Sequence, residues 1–296
     1  MPLAPRVATS RRALVLGTFV MASVVSIPSS WAGTIVSNVA DGVLTVTGTA
    51  DADDVTVRCG GGDLPVNQTR LVGGPTRCGD LRRILVFAGA GFDRVSLADV
   101  TSSAFDSLAA TSISGQEGND RLVGSEIGDD LLGGAGVDVL SGESGPDHLV
   151  PGPAGGEVLG GKGRDIVSAA GDGDWQVNDA RLRLVQADDI TTLASIEVAV
   201  VKGGASANVI TAGAFTGILR LDGRAGGDLL RSGTGNDRLV GGDGNDFVQA
   251  GSGDDELEGG PGDDVLGGES GNDELRGGAG DDTCRGGPGA DSVVSC

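Results

Sequence analysis

A nine-residue period near the C-terminus restricts what this chain can fold into. Residues 223–294 divide into eight consecutive units with the pattern G-G-x-G-x-D-x-apolar-x, without an insertion. In every unit the fourth position is Gly, the sixth is Asp, and the eighth is apolar or Cys. A short, exact period of this kind predicts a solenoid, in which each unit packs mainly against its neighbours.

Each residue type in the unit has a physical role. Glycine allows a positive φ and close backbone packing, and the apolar residue points inward because side chains alternate along a strand. Stacked Asp carboxylates about 5 Å apart repel one another unless a cation lies between them. Oxygen ligands without nearby His or Cys favour a hard cation, and calcium accepts about six to eight oxygens in a flexible geometry. The pattern therefore predicts calcium rather than magnesium.

The units resemble the RTX (haemolysin-type) calcium-binding nonapeptide family. This resemblance implies an all-β fold, a parallel β-roll or β-helix solenoid in which nine residues make half a coil. Calcium would then lie between turns eighteen residues apart, bound by carboxylates and backbone carbonyls. One edge would carry Asp228, Asp246, Asp264 and Asp282, and the other Asp237, Asp255, Asp273 and Asp291. The Asp or Asn at the fifth position is expected to support the turn.

A second, poorer array lies upstream and starts with the unit GQEGNDRLV. Its predicted calcium ligands are Asp120, Asp129, Asp138, Asp147 and Asp165. Gly156 replaces Asp in one unit, where a site should be lost, and Asp174 is a weak candidate in a degenerate unit. Asp93 lies in an isolated unit before the array, and Asn208 marks a neutral, structural unit after it. We expect fewer or weaker ions here than in the C-terminal array.

The N-terminus has the pattern of a secretory signal peptide. Three Arg residues and no acid precede an apolar run over 13–27, and Ser30-Trp31-Ala32 fits a cleavage site before Gly33. A twin-Arg pair leaves both Sec and twin-Arg export open. Four cysteines in an exported chain predict disulfides, and proximity favours Cys59–Cys78 and Cys284–Cys296. We expect a secreted protein without a transmembrane segment in the mature chain.

The charge balance restricts the partners. Asp plus Glu number 42 against 21 Lys plus Arg, for a formal net charge of -21. This acidity argues against nucleic acid or an anionic membrane and favours cations. Disorder is the alternative for an acidic, Gly-rich chain, but the hydrophobic 39% of residues recur in a fixed register. We expect calcium as the ligand, a cell-surface or extracellular polymer as a further candidate partner, and a monomer.

The remaining segments complete the predicted domain organisation. Residues 1–32 form the signal peptide, and Val- and Thr-rich residues 33–87 form an N-terminal β cap. A first, degenerate RTX β-roll covers 88–176, a Gly-poor β-solenoid spacer covers 177–222, and the second β-roll covers 223–296. One elongated solenoid and two lobes joined by a small β domain both fit this division.

The sequence carries no recognisable catalytic motif. H-E-x-x-H and G-x-S-x-G are absent, and a Ser-His-Asp triad would have to use the single histidine, His148, which we expect to be an ordinary surface residue. The favoured function is a non-catalytic, calcium-folded structural, surface or adhesive module. Two alternatives are an extracellular polysaccharide-active β-solenoid enzyme and a calcium-dependent stabilising partner of another secreted protein.

Overall fold

A computed structural model describes residues 23–25, 35–59, 65–66, 69–70, 77–185 and 189–296. Apart from Ser23–Val25, the predicted signal peptide lies outside these residues. Strands and turns make up almost all of the described chain, with a short 3-10 helix at Cys78–Asp80. Within these ranges, no helix has the length and apolar character needed to cross a membrane.

The strands are short and recur about every nine residues in both arrays. They are β1 Ser23–Val25, β2 Ile35–Ala40, β3 Val43–Thr49, β4 Asp54–Thr56, β5 Pro65–Val66, β6 Thr69–Arg70, β7 Arg83–Ala90, β8 Arg94–Ser96, β9 Ala110–Glu117, β10 Arg121–Val123, β11 Asp129–Ala135, β12 Asp138–Ser144, β13 His148–Val150, β14 Gly156–Lys162, β15 Ile166–Ala170, β16 Trp175–Asn178, β17 Arg181–Leu184, β18 Asp189–Ala194, β19 Val198–Lys202, β20 Val209–Ala214, β21 Ile218–Ala225, β22 Leu229–Arg231, β23 Arg238–Asp243, β24 Phe247–Ser252, β25 Glu256–Pro261, β26 Val265–Ser270, β27 Glu274–Ala279, β28 Thr283–Arg285 and β29 Ser292–Val294.

Two long sheets face each other, and the chain alternates between them. Sheet A has the order β1-β2-β3-β7-β9-β11-β13-β15-β19-β21-β23-β25-β27-β29. Sheet B has the order β28-β26-β24-β22-β20-β16-β17-β18-β14-β12-β10-β8-β4. In the C-terminal array, parallel neighbours are eighteen residues apart, as in the pairing of Phe247 with Val265 and of Glu256 with Glu274. This confirms the predicted all-β, parallel β-roll fold.

The core lies between the sheets and consists of stacked eighth-position side chains. These side chains are almost fully buried, and they are Leu122, Leu131, Leu140, Leu149, Val158, Val167, Leu230, Leu239, Val248, Leu257, Leu266 and Leu275. In the three-residue strands β4, β8, β10, β13 and β22 the central residue is buried and the two flanking residues face outward. The apolar step in the repeat therefore builds one continuous core, and the turns between strands lie along the two edges.

The N-terminal part begins with antiparallel pairing. Strands β2 and β3 form a hairpin, and β3 then pairs in parallel with β7. Strand β1 pairs antiparallel with β2 on the other side of this hairpin, so three antiparallel strands begin sheet A, and β2 and β3 lie in the segment where the N-terminal β cap is expected. The first coils are longer than later ones: β7 and β9 pair with an offset of 27 residues, from Arg83 to Ala110. Buried Phe105 fills the extra loop between them.

The Gly-poor segment differs from a simple run of parallel coils. Strands β16, β17 and β18 pair antiparallel and are inserted into sheet B between β14 and β20. The turn between β16 and β17 has no glycine, and the Asn178 side chain accepts a hydrogen bond from the Ala180 N–H (2.9 Å), which stabilises a tight reversal. Sheet A continues directly from β15 to β19. Trp175 is buried at this junction.

Candidate calcium-binding turns

The sixth-position aspartates stack in rows along the two edges of the roll. In each row, one Oδ of an Asp accepts a hydrogen bond from the backbone N–H of the Asp one coil earlier. The Asp246 N–H donates to Asp264 (2.8 Å), and the Asp237 N–H donates to Asp255 (2.8 Å). The upstream array repeats this arrangement, for example from Asp120 to Asp138 (2.8 Å). The rows are those that the nine-residue spacing and the RTX resemblance together implied.

The second carboxylate oxygen in these rows is buried and has no partner. Every predicted calcium ligand except Asp129 and Asp291 has a buried Oδ2 without a hydrogen-bond partner. A buried carboxylate oxygen left without a partner costs free energy, and a full row of them costs more because like charges repel. The turns therefore present unsatisfied negative charge at regular intervals, which a bound cation would satisfy.

In most units the first-position glycine lets the backbone approach this oxygen more closely than a side chain would allow. A Cβ built on Gly241 would overlap Oδ2 of Asp246 and would lie 2.8 Å from the carbonyl oxygen of Gly259, one coil later. The same environment surrounds Gly259, where the overlapped atom is Oδ2 of Asp264. Carboxylate and carbonyl oxygens from successive coils thus converge on one small space.

This donor set fits calcium. It combines carboxylate and carbonyl oxygens, which are the ligands of hard cations. Among the described residues, no three His, Cys, Asp or Glu side chains gather around one point, and the oxygens beside the Asp carboxylates at Gly241 and Gly259 are backbone carbonyls of the next coil. A site of this kind depends on stacking of the coils as much as on the acidic side chain.

The fifth-position side chains support the turns, as the sequence predicted. Asn245 accepts a hydrogen bond from the Asp263 N–H (3.0 Å), and Asp263 accepts one from the Asp281 N–H (2.9 Å). On the other edge, Asn236 accepts from the Asp254 N–H (3.1 Å). All these partners are eighteen residues apart, so the fifth position fixes the stacking of exposed turns while the sixth faces inward.

Several turns in the upstream half depart from the pattern. The turn of Asp129 has Ile127 at the fourth position, and its carboxylate accepts hydrogen bonds from the N–H (2.6 Å) and the hydroxyl of Ser125. At Gly156 the carboxylate is missing, and the Asp138 N–H instead meets the carbonyl of Gly155 at 3.4 Å. Both differences favour fewer ions upstream.

The unit with Asn208 in place of the sixth-position Asp satisfies its turn with hydrogen bonds from within the protein. Asn208 is buried, its Oδ1 accepts from the Gly204 N–H (2.7 Å), and its Nδ2 donates to Asp172 (3.2 Å). This geometry fits the structural role expected for Asn208. Asp174 lies outside the rows, and its carboxylate accepts from the Val209 N–H (2.8 Å).

Sequence reasoning missed two members of the rows. The Asp53 N–H donates to Asp93 (2.7 Å), and the Asp93 N–H donates to Asp120 (2.9 Å), so one row extends into the N-terminal cap. On the other edge, Glu197 takes the place of an Asp and accepts from the Asp165 N–H (2.8 Å). Gly48 lies five residues before Asp53, the same spacing that separates the first-position Gly from the sixth-position Asp in the repeats, and this could have identified Asp53. The separations of 40 residues from Asp53 to Asp93 and of 27 residues from Asp93 to Asp120 differ from eighteen, so the period did not reveal the row.

Burial changes the ionisation of the stacked aspartates. Desolvation raises the pKa of Asp147 to about 8 and that of Asp129 to about 7. It also raises the pKa values of Asp138, Asp246 and Asp255 to about 6, and neighbouring carboxylates act in the same direction. In the absence of a cation, the folded rows therefore favour protonated carboxyl groups.

We expect the calcium-free protein to be more folded in acid than at neutral pH. Because the folded pKa values exceed the unfolded value of about 4, protonation stabilises the folded state fully below about pH 4. That stability is lost as the pH rises through the folded values of about 6 to 8. Circular dichroism of calcium-stripped protein across this range tests the sign, and a loss of β structure on acidification would contradict it.

Both predicted disulfides are present in the structure. Cys59 bonds to Cys78, with Cα atoms 6.0 Å apart, and Cys284 bonds to Cys296, with Cα atoms 5.9 Å apart. The first bond closes the loop of the N-terminal cap, and the second ties the last coil to the C-terminus. Chain-entropy arguments give each short loop about 3 kcal/mol of stabilisation.

His148 lies on the outer face of sheet A between an Asp and a Ser. Its Nε2 is 2.8 Å from Oγ of Ser168, and its Nδ1 is 3.3 Å from Oδ1 of Asp130. This is the hydrogen-bond order of a Ser-His-Asp triad. The three residues stand on the adjacent strands β11, β13 and β15, whose N–H groups lie in the plane of the sheet. Such N–H groups do not point outward as an oxyanion hole would require.

Comparison with known families supports the interpretation of the repeats. A family model for the RTX calcium-binding nonapeptide repeat (4 copies) matches residues 114–149, 222–257 and 258–293. A search of curated proteins gives no match. The matched segments contain the stacked Asp rows of both arrays, and RTX repeats together with disulfides indicate an extracellular protein. These three segments therefore match the RTX calcium-binding nonapeptide repeat, which implies a calcium-binding β-roll module in this part of the chain.

Proposed function

We propose that this chain is an exported, non-catalytic module that folds when calcium binds in its turns and then serves a structural, surface or adhesive role. The observation that supports this is the series of buried, unpartnered Oδ2 atoms along the two edges. Calcium would supply the positive charge that these rows need. The residues that would hold it are the predicted aspartates Asp228, Asp237, Asp246, Asp255, Asp264, Asp273, Asp282, Asp291, Asp120, Asp138, Asp147 and Asp165, with Asp129 as the weakest member.

The chain's own residues explain why folding would depend on the ion. Removal of residues 1–32 would leave 18 basic against 42 acidic residues. Each complete coil of the C-terminal array buries only two or three apolar side chains, which offset little repulsion and chain entropy. Because the binding space forms only when coils stack, the free energy of ion binding becomes free energy of folding. Low calcium inside the cell and high calcium outside would then couple folding to export.

Titration of calcium into the purified mature chain tests the proposal. We expect a cooperative coil-to-β transition by far-UV circular dichroism with calcium, because each ion orders the two coils that bind it. Magnesium at the same concentration is the control, since its stricter octahedral geometry fits these turns poorly. A chain already folded in chelator, or one still disordered at millimolar calcium, would remove the basis for the proposal.

The arrangement of Ser168, His148 and Asp130 favours one alternative, an extracellular enzyme. We expect it to contribute no catalysis, because a serine on a flat strand lacks donors aimed at the developing oxyanion, and such donors contribute about 10²–10³ in rate. Hydrolysis of p-nitrophenyl acetate by the calcium-loaded protein should be the same for the wild type and for Ser168→Ala. Ser112→Ala, on the same sheet face, is a matched control. A tenfold loss confined to Ser168→Ala would favour the enzyme.

The other alternative is a calcium-dependent stabilising partner of a second secreted protein. Pull-downs with and without calcium separate this role from that of a self-contained module. A partner retained only with calcium, and in a fixed ratio to the chain, would favour the alternative.

A further inference from the structure

Alternate nonapeptides of the C-terminal array place different chemistry on the two outer faces. In the units whose strands join sheet B, the seventh position holds Leu229, Phe247, Val265 and Thr283. In the units whose strands join sheet A, it holds Arg238, Glu256, Glu274 and Ser292. The turns and buried positions of the two sets are nearly the same. The difference in the outward residues is therefore not required by the fold.

On sheet B the seventh-position side chains form an apolar ladder. Val209, Leu229, Phe247 and Val265 are direct neighbours on the successive strands β20, β22, β24 and β26. Phe247 and Val265 are each 40% exposed, and Val209 is 37% exposed. With strands about 4.8 Å apart, the ladder extends roughly 15 Å along the solenoid axis. Thr283 continues it with a hydroxyl group.

Two arginines accompany this ladder at the ninth position. The Arg231 guanidinium lies 5.8 Å from the ring centroid of Phe247, and Arg285 borders a depression of about 490 Å³ that Phe247 and Val265 also line. Neither arginine forms an ion pair with any described residue, although the chain has twice as many acids as bases. Glu269, at the margin of the depression, accepts a hydrogen bond from Gln249 (2.9 Å).

The matching positions of sheet A have the opposite character. There Arg238 contacts Glu256 and lies 3.4 Å from Glu258, and Arg276 contacts Glu274. The charges of Arg238 and Arg276 are thus neutralised by neighbouring glutamates on sheet A. On sheet B the seventh and ninth positions from β20 to β28 contain no acid, so the two guanidinium groups remain available to an anion.

We infer that the outer face of sheet B from β20 to β28, here called the B face, binds a linear acidic polysaccharide. The apolar C–H faces of sugar rings would pack on the ladder and on Phe247, and carboxylate or sulfate groups would pair with Arg231 and Arg285. The inference deepens the proposed adhesive role by naming its ligand class and its surface.

The dimensions of the B face favour a single polymer chain over an anionic bilayer. The ladder and the arginines occupy two rows of outward side chains, at the seventh and ninth positions, which are about 7 Å apart. Exposed carboxylates border the B face on both edges, such as Asp263 on one and Asp254 on the other. A flat anionic surface would meet these carboxylates and be repelled, whereas one extended chain running along the axis would avoid them.

Binding of hyaluronate and chondroitin sulfate fragments to the full, calcium-loaded chain tests the inference. We expect binding that weakens with added salt, no binding of neutral dextran, and a loss of about tenfold in the double variant Arg231→Gln with Arg285→Gln. Phe247→Ser should also weaken binding. The matched control is Arg220→Gln with Arg276→Gln, which removes the same charge from sheet A and should change affinity less than about twofold.

Three results would overturn the inference. They are no binding of either polysaccharide by the wild type, equal losses in the B-face and sheet-A variants, or stronger binding to phosphatidylserine vesicles or oligothymidylate than to polysaccharide. The calcium-induced change in circular dichroism, measured on the same samples, shows that each variant folds. A chain that folds with calcium and ignores polysaccharides would refute the B-face inference and leave the calcium proposal intact.

Discussion

Asp264→Ala should destabilise the calcium-loaded protein by at least about 3 kcal/mol. The substitution removes the charged acceptor of the Asp246 N–H, a bond of 2.8 Å worth about 1.5–3 kcal/mol. It also removes the oxygen facing the ion space, and one site filled at a hundred times its dissociation constant contributes about 2.7 kcal/mol. Urea unfolding in saturating calcium measures the loss, and Asp255→Ala should behave similarly on the other edge.

Asp243→Ala is the matched control for this substitution. Asp243 lies in a turn of the same row, and its carboxylate is exposed, so its removal should change stability by no more than about 0.5 kcal/mol. The two variants have the same net charge, which separates site chemistry from the overall reduction in repulsion. Equal effects of Asp243→Ala and Asp264→Ala would show that the sixth position is not special.

Gly259→Ala should weaken calcium binding although it leaves every carboxylate in place. The new Cβ would overlap Oδ2 of Asp264 and lie 2.6 Å from the carbonyl oxygen of Gly277, so it would displace two oxygens that the ion would need. Overpacking costs about 1–3 kcal/mol, and loss of one filled site adds about 2.7 kcal/mol. A higher calcium midpoint and lower stability in urea are the expected readouts.

The reciprocal control for Gly259→Ala is Ala250→Gly. Ala250 occupies the first position on the other edge, where a buried Cβ is already accommodated, so its removal should cost only about 0.5–1 kcal/mol. Combining Gly259→Ala with Asp264→Ala adds a second test, because two changes to one site should be clearly less than additive. Full additivity would mean that Gly259 acts through backbone conformation alone.

The regular part of the fold could be predicted from the sequence because it depends on local periodicity. The period of nine located the buried Leu257 and Leu266, the stacked Asp255 and Asp273, and the supporting role of Asn236. Each of these depends only on neighbours one coil away. Proximity also identified both disulfides.

The irregular part could not be predicted in the same way, because its hydrogen-bond partners lie at unequal separations along the sequence. Asp53 joins its row through a hydrogen bond to Asp93, which lies 40 residues later in the sequence. The antiparallel insertion around Asn178 replaces a coil with a hairpin, which short strand patterns do not reveal. Predicting the hydrogen bonds of His148 would have required the register between three adjacent strands, and that register is known only once the sheet is assembled.

The eighteen-residue coil also limits how such a gene can lengthen or shorten. Gain or loss of one nonapeptide would move every later strand to the opposite sheet and exchange the chemistry of the two surfaces downstream. Gain or loss of two nonapeptides would preserve both surfaces and change only the length. Selection on either surface should therefore favour duplications in steps of 54 nucleotides, and related arrays should differ by even numbers of units.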